Sequence, residues 1–598
     1  MPINKIDEDE MINNSVKVDL ILRLFSYLKP YKFQAAVAIS LMGIVTGVEL
    51  LNPYLLKLAI DKYIIAKNVS GLMLLGLVMI AIKIVSMFCS RQRIKIMSEM
   101  TNKIHLTIRQ ELYTHIQKLP LSFFDHRPVG KILARVIGDV NSLSNLFNNS
   151  VANLVPDLAT IIAVIIIMLS MNYRLALASF VTLPLLVVFM GTVEIVSHQR
   201  WQIFRKKTSN TNAFTHENFS GIRVVQSFTA EQHSKRDFQG LLQENLDAFI
   251  RAVRLNDLFW PSVELSWGIG TIAVFWYGIH LLNTGTVTIG LLVAFSGYVS
   301  MFWRPVMNIS SFYNTLVANM SGAERIFEIM DIKPTIQEAE RAVTLPVLRG
   351  EVEFKNVTFG YVAGQTVLEN VSFSVNAGET VALVGPTGAG KTSIINLISR
   401  FFQPQAGKVL IDGYDVRDVT FESLRSQMGV VLQDTFLFSG SIIDNIRYGR
   451  LNASDEACIE AAKAVHAHDF ISKLENSYET RVQERGSRLS FGQRQQLAFA
   501  RALLAEPRIL ILDEATAGID THSERLLQQG IEKLLAGRTS FVIAHRLSTI
   551  VNADRIMVID RGRIIEMGTH QELLRKKGSY YHLFMAQFRF LTEEKGAI

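Results

Sequence analysis

Long apolar runs fill the first half of the chain, and only short ones occur in the second half. Six runs are long enough to cross a bilayer as helices, which takes about 20 residues; they are 35–56, 71–90, 152–170, 175–196, 258–281 and 289–310. A charged connector follows from Ala323 to Gly350, and short β-type stretches begin at Val352. The pattern predicts an α-helical transmembrane domain of six spans fused to a soluble α/β domain.

Two of the linkers between these spans, 91–151 and 197–257, are long, basic and rich in helix-forming residues. Proline and glycine are scarce in both linkers except around one turn. We therefore predict that the flanking spans continue as helices about 40 Å beyond the membrane and fold back at turns near 120–128 and 210–220. A large soluble insertion is the alternative, but neither linker alternates strand and helix patterns.

The composition agrees with a membrane domain followed by a soluble domain, and the distribution of charge predicts which side of the membrane each linker faces. The chain is 49% hydrophobic and 19% charged, which is unusual for a soluble protein. The net charge of +7 comes largely from Lys and Arg beside the apolar runs, so it indicates cytoplasmic linkers rather than nucleic-acid binding. Six spans then leave both termini in the cytoplasm. The acidic start predicts no cleavable signal peptide, and Cys89 and Cys458 are expected to be unpaired thiols.

A glycine-rich loop follows the apolar stretch 380–384 and precedes a helix-forming run. Its sequence, GPTGAGKT, matches the phosphate-binding pattern G-x-x-x-x-G-K-[ST]. Glycines let the backbone amides surround phosphates, Lys391 supplies a positive charge, and Thr392 offers a hydroxyl to Mg²⁺. The nucleotide-binding residues predicted here are Gly385, Pro386, Thr387, Gly388, Ala389, Gly390, Lys391, Thr392 and Ser393.

A second apolar stretch, Ile509-Leu-Ile-Leu-Asp513, ends in a carboxylate that Glu514 follows. Four apolar residues in a row indicate a buried parallel strand, and ligands bind at the carboxyl ends of such strands. Asp513 is therefore predicted to hold the metal through water, and Glu514 to polarise the water that attacks the terminal phosphate.

Between these two motifs lies Leu489-Ser-Phe-Gly-Gln493, directly before a helix-forming run. It resembles LSGGQ, the signature motif of the ATP-binding-cassette (ABC) family. The resemblance implies that Ser490, Gly492 and Gln493 contact a nucleotide held by a second cassette.

Other cassette motifs occur in the family's order. Tyr361 resembles the aromatic residue that stacks on adenine, Gln433 the glutamine that senses Mg²⁺ and contacts the membrane domain, and His545 the switch histidine that holds the γ-phosphate. Glu484–Gly486 resembles the exporter-specific x-loop, and Ala517–Asp520 resembles the D-loop.

The two long linkers also resemble the intracellular loops of type IV ABC exporters. The first resemblance rests on Phe124, Asp125, Gly130, Arg135 and Asp139; the second rests on Glu217, Asn218, Gly221, Ile222 and Val225. The domains expected from the resemblance are an N-terminal extension with an elbow helix (1–34), a transmembrane domain (35–322), a linker (323–350) and a cassette (351–598).

This resemblance implies an ATP-hydrolysing exporter subunit in the cell membrane, with ATP and Mg²⁺ as cofactors and a second half-transporter as partner. Hydrophobic or amphipathic compounds, drugs or lipids, are the expected substrates. A lipid A or lipid flippase-type homodimer and an ATP-gated regulator that transports nothing remain as alternatives.

Three charged residues, Glu49, Lys83 and Glu264, lie within the predicted spans. Lys83 and Glu264 lie at similar depth and could form an ion pair. Alternatively, Lys83 extends to the membrane interface and Glu264 faces a hydrated cavity.

Two departures from the family pattern bear on the partner. Phe491 replaces the first glycine of the signature, and Ala517-Gly-Ile519 replaces the usual Ser-Ala-Leu before Asp520. The run Gln493–Arg501 also resembles the glutamate-bearing half of heterodimeric bacterial multidrug exporters. We therefore favour a heterodimer, with a homodimer that tolerates Phe491 as the alternative.

Overall fold

A computed structural model describes residues 18–125, 127–145, 152–180, 182–362, 364–433, 435–483, 486–513, 521–544 and 547–593. The chain divides into two compact units. The first comprises Met1–Lys118 and Arg127–Ile332, and the second comprises Leu119–His126 and Lys333–Ile598.

The first unit contains only helices among the secondary-structure elements of its described residues. Its helices are α1 (Val18–Ser26), α2 (Lys32–Leu58), α3 (Val69–Gln117), α5 (Val129–Leu133), α6 (Val140–Asn145), α7 (Ala152–Met171), α8 (Tyr173–Phe180), α9 (Thr182–Ser220), α10 (Ile222–Ser227), α11 (Glu231–Asn256), α12 (Phe259–Asn283) and α13 (Ile289–Asp331); α4 (Leu121–Asp125) belongs to the second unit. A 3₁₀ turn (Lys29–Tyr31) precedes α2, and π-helical turns follow α2 (Ala59–Ile64) and α5 (Ala134–Asp139).

Five helical segments among the described residues are long and apolar enough to cross a membrane: Lys29–Ile64, Val69–Gln117, Leu154–Met171, Glu264–Asn283 and Ile289–Val306. They correspond to five of the six predicted spans. The sixth, 175–196, falls on α8 and the start of α9, on either side of residue 181, and stays a prediction.

The second long linker folds back as two long antiparallel helices, α9 and α11. Lys207 Nζ donates to Glu244 Oε2 at 2.6 Å, and Asn245 Nδ2 donates to Thr208 Oγ1 at 3.0 Å. Further along, the rings of Phe214 and Phe238 stack at 6.3 Å. The paired helices predicted from helix-forming composition are therefore present.

The turn between these two helices lies beyond the predicted position. Helix α9 runs without interruption through 210–220, and the chain turns after Gly221, at α10. Polar side chains in this segment bond to their own helix: Thr211 and Thr215 donate to the carbonyl oxygens of Lys207 and Thr211, at 3.0 and 2.8 Å. Such back-bonding satisfies hydroxyls without breaking a helix.

A buried carboxylate, Asp139, joins the first long linker to α13. Arg325 Nε donates to Asp139 Oδ2 at 2.9 Å, and Arg135 Nη1 donates to the same oxygen at 3.3 Å. The Asp139 side chain is only 12% exposed. Both guanidinium groups thus compensate one carboxylate that is almost removed from water.

We expect Asp139→Asn to destabilise the membrane unit by about 2–3 kcal/mol, because two guanidinium groups would lose their counter-charge in a half-buried position. The measurement is the thermal midpoint of the purified protein followed by fluorescence-detected gel filtration. Asp331→Asn is the matched control, since the Asp331 side chain that pairs with Arg23 is 64% exposed and exposed pairs contribute little. Equal midpoints for the two variants would contradict the role of Asp139.

The second unit is an α/β domain. Its strands are β1 (Val352–Phe359), β2 (Leu368–Val375), β3 (Thr380–Val384), β4 (Ala406–Ile411), β5 (Tyr414–Asp415), β6 (Met428–Val431), β7 (Gly440–Ser441), β8 (Arg481–Val482), β9 (Ile509–Asp513), β10 (Thr539–Ile543), β11 (Arg555–Asp560) and β12 (Arg563–Gly568). Its remaining helices are α14 (Lys391–Ile398), α15 (Phe421–Arg425), α16 (Ile442–Arg447), α17 (Asp455–Ala464), α18 (His468–Ile471), α19 (Phe491–Leu504), α20 (Thr521–Leu535), α21 (Leu547–Val551), α22 (His570–Lys576) and α23 (Ser579–Glu593).

A six-stranded sheet in the order β12-β11-β3-β10-β9-β6 forms the centre of this domain, and a four-stranded sheet in the order β2-β1-β4-β5 lies beside it. Alternate residues of the central strands enter two different cores. Leu383 and Ile511 pack with β1, β2 and α14, whereas Ala382 and Leu512 pack with α16, α17 and α19. Strands covered on both faces are continuously apolar, as 509–512 is.

Candidate functional site

The central sheet brings the ends of several strands to one edge. Strands β3, β10 and β9 are parallel neighbours, with Leu383 opposite Ile543 and Ile543 opposite Asp513. Strand β6 runs parallel to β9 on its other side, and Gln433 follows two residues after β6 ends. The glycine-rich loop after β3, Asp513 and Gln433 therefore begin at the same edge, where ligands of parallel sheets bind.

The glycine-rich loop adopts a backbone that side chains would disturb. Gly388 and Gly390 have φ of +82° and +108°, a left-handed conformation that favours glycine. At Gly385 a Cβ atom would collide with the carbonyl oxygen of Ile559. At these three positions directly before α14 the loop carries no side chain, an arrangement in which backbone amides can surround phosphate groups.

Lys391 lies inside the loop at the first residue of α14. Its Nζ atom donates to the carbonyl oxygens of Gly385 and Pro386 at 2.8 and 2.9 Å. Burial lowers the pKa of the Lys391 ammonium group, and the nearby Asp513 carboxylate opposes this shift. Next to it, Thr392 is exposed while Ser393 is buried. An ammonium group, a hydroxyl and a carboxylate therefore meet at one end of the sheet, which fits a nucleotide phosphate with Mg²⁺.

Tyr361 is held beside this loop by both its ring and its hydroxyl. The ring makes edge-on contacts with Phe359 and Phe402, each at 4.9 Å. The hydroxyl lies 3.0 Å from Ser393 Oγ and accepts from Asn396 Nδ2 at 3.2 Å. Because the residue remains 45% exposed, its ring is a fixed aromatic surface next to the phosphate loop. Asn396 was not predicted from the sequence, since an asparagine within a helix carries no recognisable signal.

The signature segment forms the start of α19. Ser490 Oγ accepts from the amide of Gln493 at 3.2 Å, and Gln493 Oε1 accepts from the amide of Ser490 at 2.9 Å. This reciprocal cap fixes the first turn. Among the described residues, the amides of Phe491 and Gly492 have no acceptor, and Ser490 is exposed. The helix thus begins with an exposed hydroxyl and two amides that suit an anion.

Several predicted residues lie outside the part of the chain that the structure describes: Glu514, His545, Glu484 and Arg485 of the x-loop, and Ala517–Asp520. Their roles stay predictions. Asp513, directly before Glu514, ends β9, and Ile543, two residues before His545, ends β10.

Of the two arrangements left open for Lys83 and Glu264, a pair or separate charges, the structure has them separate. Among the described residues, Lys83 and Glu264 form no ion pair within 4.0 Å. Glu49 instead lines a cavity of the first unit together with Arg93, Asp157 and Arg304. Asp157 and Arg304 were missed because each is a single charge inside an otherwise apolar run, whereas Arg93 is one of the basic residues that follow the second run and was predicted to lie in a cytoplasmic linker.

Comparison with known proteins agrees with this architecture. Residues 36–306 match the family model of the ABC transporter transmembrane region, and residues 368–517 match that of the ABC transporter. An ABC transporter ATP-binding protein of Bacillus subtilis, YknV, described as uncharacterized, is 44% identical over 98% of this chain and 97% of its own length. The chain belongs to the ABC transporter family. It is therefore an ATPase coupled to transmembrane transport and a multi-pass membrane protein.

Two further comparisons indicate which type of ABC transporter this chain is. An ATP-dependent lipid A-core flippase of Syntrophus aciditrophicus is 37% identical over 96% of this chain and 95% of that protein. The solved structure of a bacterial Atm1-family ABC exporter with ATP bound superposes with a TM-score of 0.78, at 29% identity, covering 93% of this chain and 98% of that one. The predicted type IV exporter half-transporter, a helical membrane domain fused to an α/β ATP-binding domain, is confirmed; such transporters work as dimers.

Proposed function

We propose that this chain is one half of an exporter that uses ATP hydrolysis to move hydrophobic or amphipathic compounds, drugs or lipids, out of the cytoplasm or the inner leaflet. The proposal rests on a phosphate-binding loop and Asp513 at one sheet edge of a chain that also carries membrane spans. The name of the lipid A-core flippase supports a lipid-like substrate.

In the proposed ATP site, Lys391 and the loop amides bind the phosphates, and Tyr361 stacks on adenine. Thr392, Gln433 and Asp513 hold Mg²⁺, whose charge would stabilise the transferring phosphoryl group. Glu514 polarises the attacking water, and His545 holds the γ-phosphate.

We propose that a second half-transporter completes this site with its own signature segment, while this chain offers Ser490, Gly492 and Gln493 to the partner's nucleotide. A heterodimer is favoured because Phe491 and Ala517-Gly-Ile519 alter the surfaces offered to the opposite site, whereas the motifs used in the chain's own site are intact. We place the cassette and both termini in the cytoplasm, and we keep the domain limits 1–34, 35–322, 323–350 and 351–598.

The test is ATP-dependent accumulation in inverted vesicles that contain this chain and its partner. A panel of lipophilic dyes, fluorescent lipids and peptides is offered with ATP, and the Glu514→Gln variant is the control. We expect uptake of at least one amphipathic compound by the wild type alone. Hydrolysis of ATP without uptake of any compound would favour an ATP-gated regulator, and uptake restricted to hydrophilic compounds would refute the substrate class.

A further inference from the structure

The first unit contains a cavity of about 810 Å³ between α2, α3, α7 and α13. Each of these helices contributes one charged side chain: Glu49, Arg93, Asp157 and Arg304. Its volume lies within the usual range for small-molecule sites. Glu49, Asp157 and Arg304 lie within predicted spans, where charges are costly unless they line a hydrated cavity or bind something, and Arg93 lies just after the second span. This cavity is therefore where a polar ligand group would be accommodated.

The four charges are only partly engaged with the protein. Asn308 Nδ2 donates to Asp157 Oδ2 at 3.0 Å, which fixes that carboxylate. Within the described part of the chain, Glu49, Arg93 and Arg304 form neither a hydrogen bond nor an ion pair. Two carboxylates and two guanidinium groups thus face one cavity, with balanced charge and with capacity left to bind both a cationic and an anionic group.

A second cavity of about 370 Å³ lies against the first, and the two share Leu154 and Phe312 as lining residues. It is formed by α1, α2, α3, α7 and α13, and its side chains are entirely apolar; Leu24, Ile39, Met97 and Leu316 are examples. A polar chamber therefore adjoins an apolar chamber across two shared side chains, all within one unit.

We propose that these adjoining chambers form one binding site for a zwitterionic amphiphile, with the charged headgroup in the polar chamber and the alkyl chain in the apolar chamber. A headgroup of a single sign would be attracted by one pair of charges and repelled by the other. A headgroup that carries both signs satisfies the guanidinium and the carboxylate groups together. The site deepens the proposed function by naming a substrate class, and it rests on that function.

Binding is measured with the full-length transporter in nanodiscs, without ATP, as radiolabelled probe retained beyond that of empty nanodiscs. The probes share one dodecyl chain and differ only in the headgroup: dodecylphosphocholine, dodecyl phosphate and dodecyltrimethylammonium. We expect the zwitterionic probe to bind at least about tenfold more tightly than either ionic probe, a difference that one good ionic contact provides. Equal affinities for the three probes would overturn the proposal.

Single substitutions test the contribution of each charge and of the apolar chamber to binding. Arg304→Gln should weaken binding of the phosphocholine and phosphate probes but not of the ammonium probe, and Glu49→Gln should weaken the phosphocholine and ammonium probes. Ala35→Leu places a larger side chain in the apolar chamber, so it should weaken the binding of dodecyl probes more than that of hexyl probes.

Lys83→Gln and Glu264→Gln are the matched controls, because neither residue lines a chamber. Both variants should bind all three probes with wild-type affinity.

The result separates this site from the proposed function. Selective binding that disappears in the Arg304 and Glu49 variants supports the site, even where vesicles show no ATP-dependent uptake, and that failure would count against the export function alone. ATP-dependent uptake of other compounds with identical binding by wild type and both variants would overturn the site and leave the export function standing.

Discussion

Glu514→Gln is expected to lose nearly all steady-state ATP hydrolysis while it still binds nucleotide. A positioned general base contributes roughly 100-fold or more to rate, and glutamine cannot accept the proton of the attacking water. The phosphate-binding loop is a separate segment after β3, so its glycines and Lys391 are unaffected by the substitution. The measurement is phosphate release at saturating ATP together with the affinity for a fluorescent ATP analogue, in the assembled transporter.

Lys391→Ala is the comparison variant that separates loss of nucleotide binding from loss of hydrolysis. Removing the ammonium group that lies within the loop should weaken nucleotide binding itself, and hydrolysis should fall because the site is empty. Loss of turnover with retained affinity in one variant, and loss of affinity in the other, assigns the two roles. Hydrolysis at a near wild-type rate by Glu514→Gln would mean that another group activates the water.

The elements around the phosphate-binding loop were predictable from sequence because they are adjacent in the chain and their strands have a recognisable pattern. An apolar stretch, a glycine-rich loop and a helix-forming run are adjacent in sequence, and the structure contains them as β3, the loop and α14. The buried strand 509–513 was predicted from four apolar residues in a row. What could not be predicted was the support for Tyr361, since Ser393 and Asn396 meet its hydroxyl only after folding.

The membrane unit was predicted less completely, for two physical reasons. Hydropathy averages over about 20 residues, so a single Asp157 or Arg304 inside an apolar run leaves the average almost unchanged, and the charged cavity was not found. The exact position of a turn between two helix-forming segments is also poorly determined by composition. The sequence predicted a turn near 210–220, but Thr211 and Thr215 there bond back to their own helix, and the turn follows Gly221.

The second prediction concerns the ATPase activity of this chain and the signature segment at the start of α19. Phe491 occupies the first position of α19, and the Arg494 guanidinium lies 5.9 Å from the centre of its ring. The family's glycine at that position allows close approach of backbone amides to a phosphate, and an aromatic side chain beside the amides of Phe491 and Gly492 obstructs that approach. A transporter built from two copies of this chain would carry the obstruction in both sites.

We therefore expect this chain, purified alone, to show little ATPase activity, and to recover it when co-expressed with a half-transporter that has an intact LSGGQ. Phe491→Gly should raise the activity of the chain alone by on the order of 100-fold, the effect of one well-placed transition-state donor. Ser490→Ala in the Phe491→Gly background is the control, and it should remove most of the gain because the exposed hydroxyl at the helix start is lost. Robust, cooperative hydrolysis by the unmodified chain alone would instead establish a homodimer in which the Phe491 side chain turns away from the facing nucleotide.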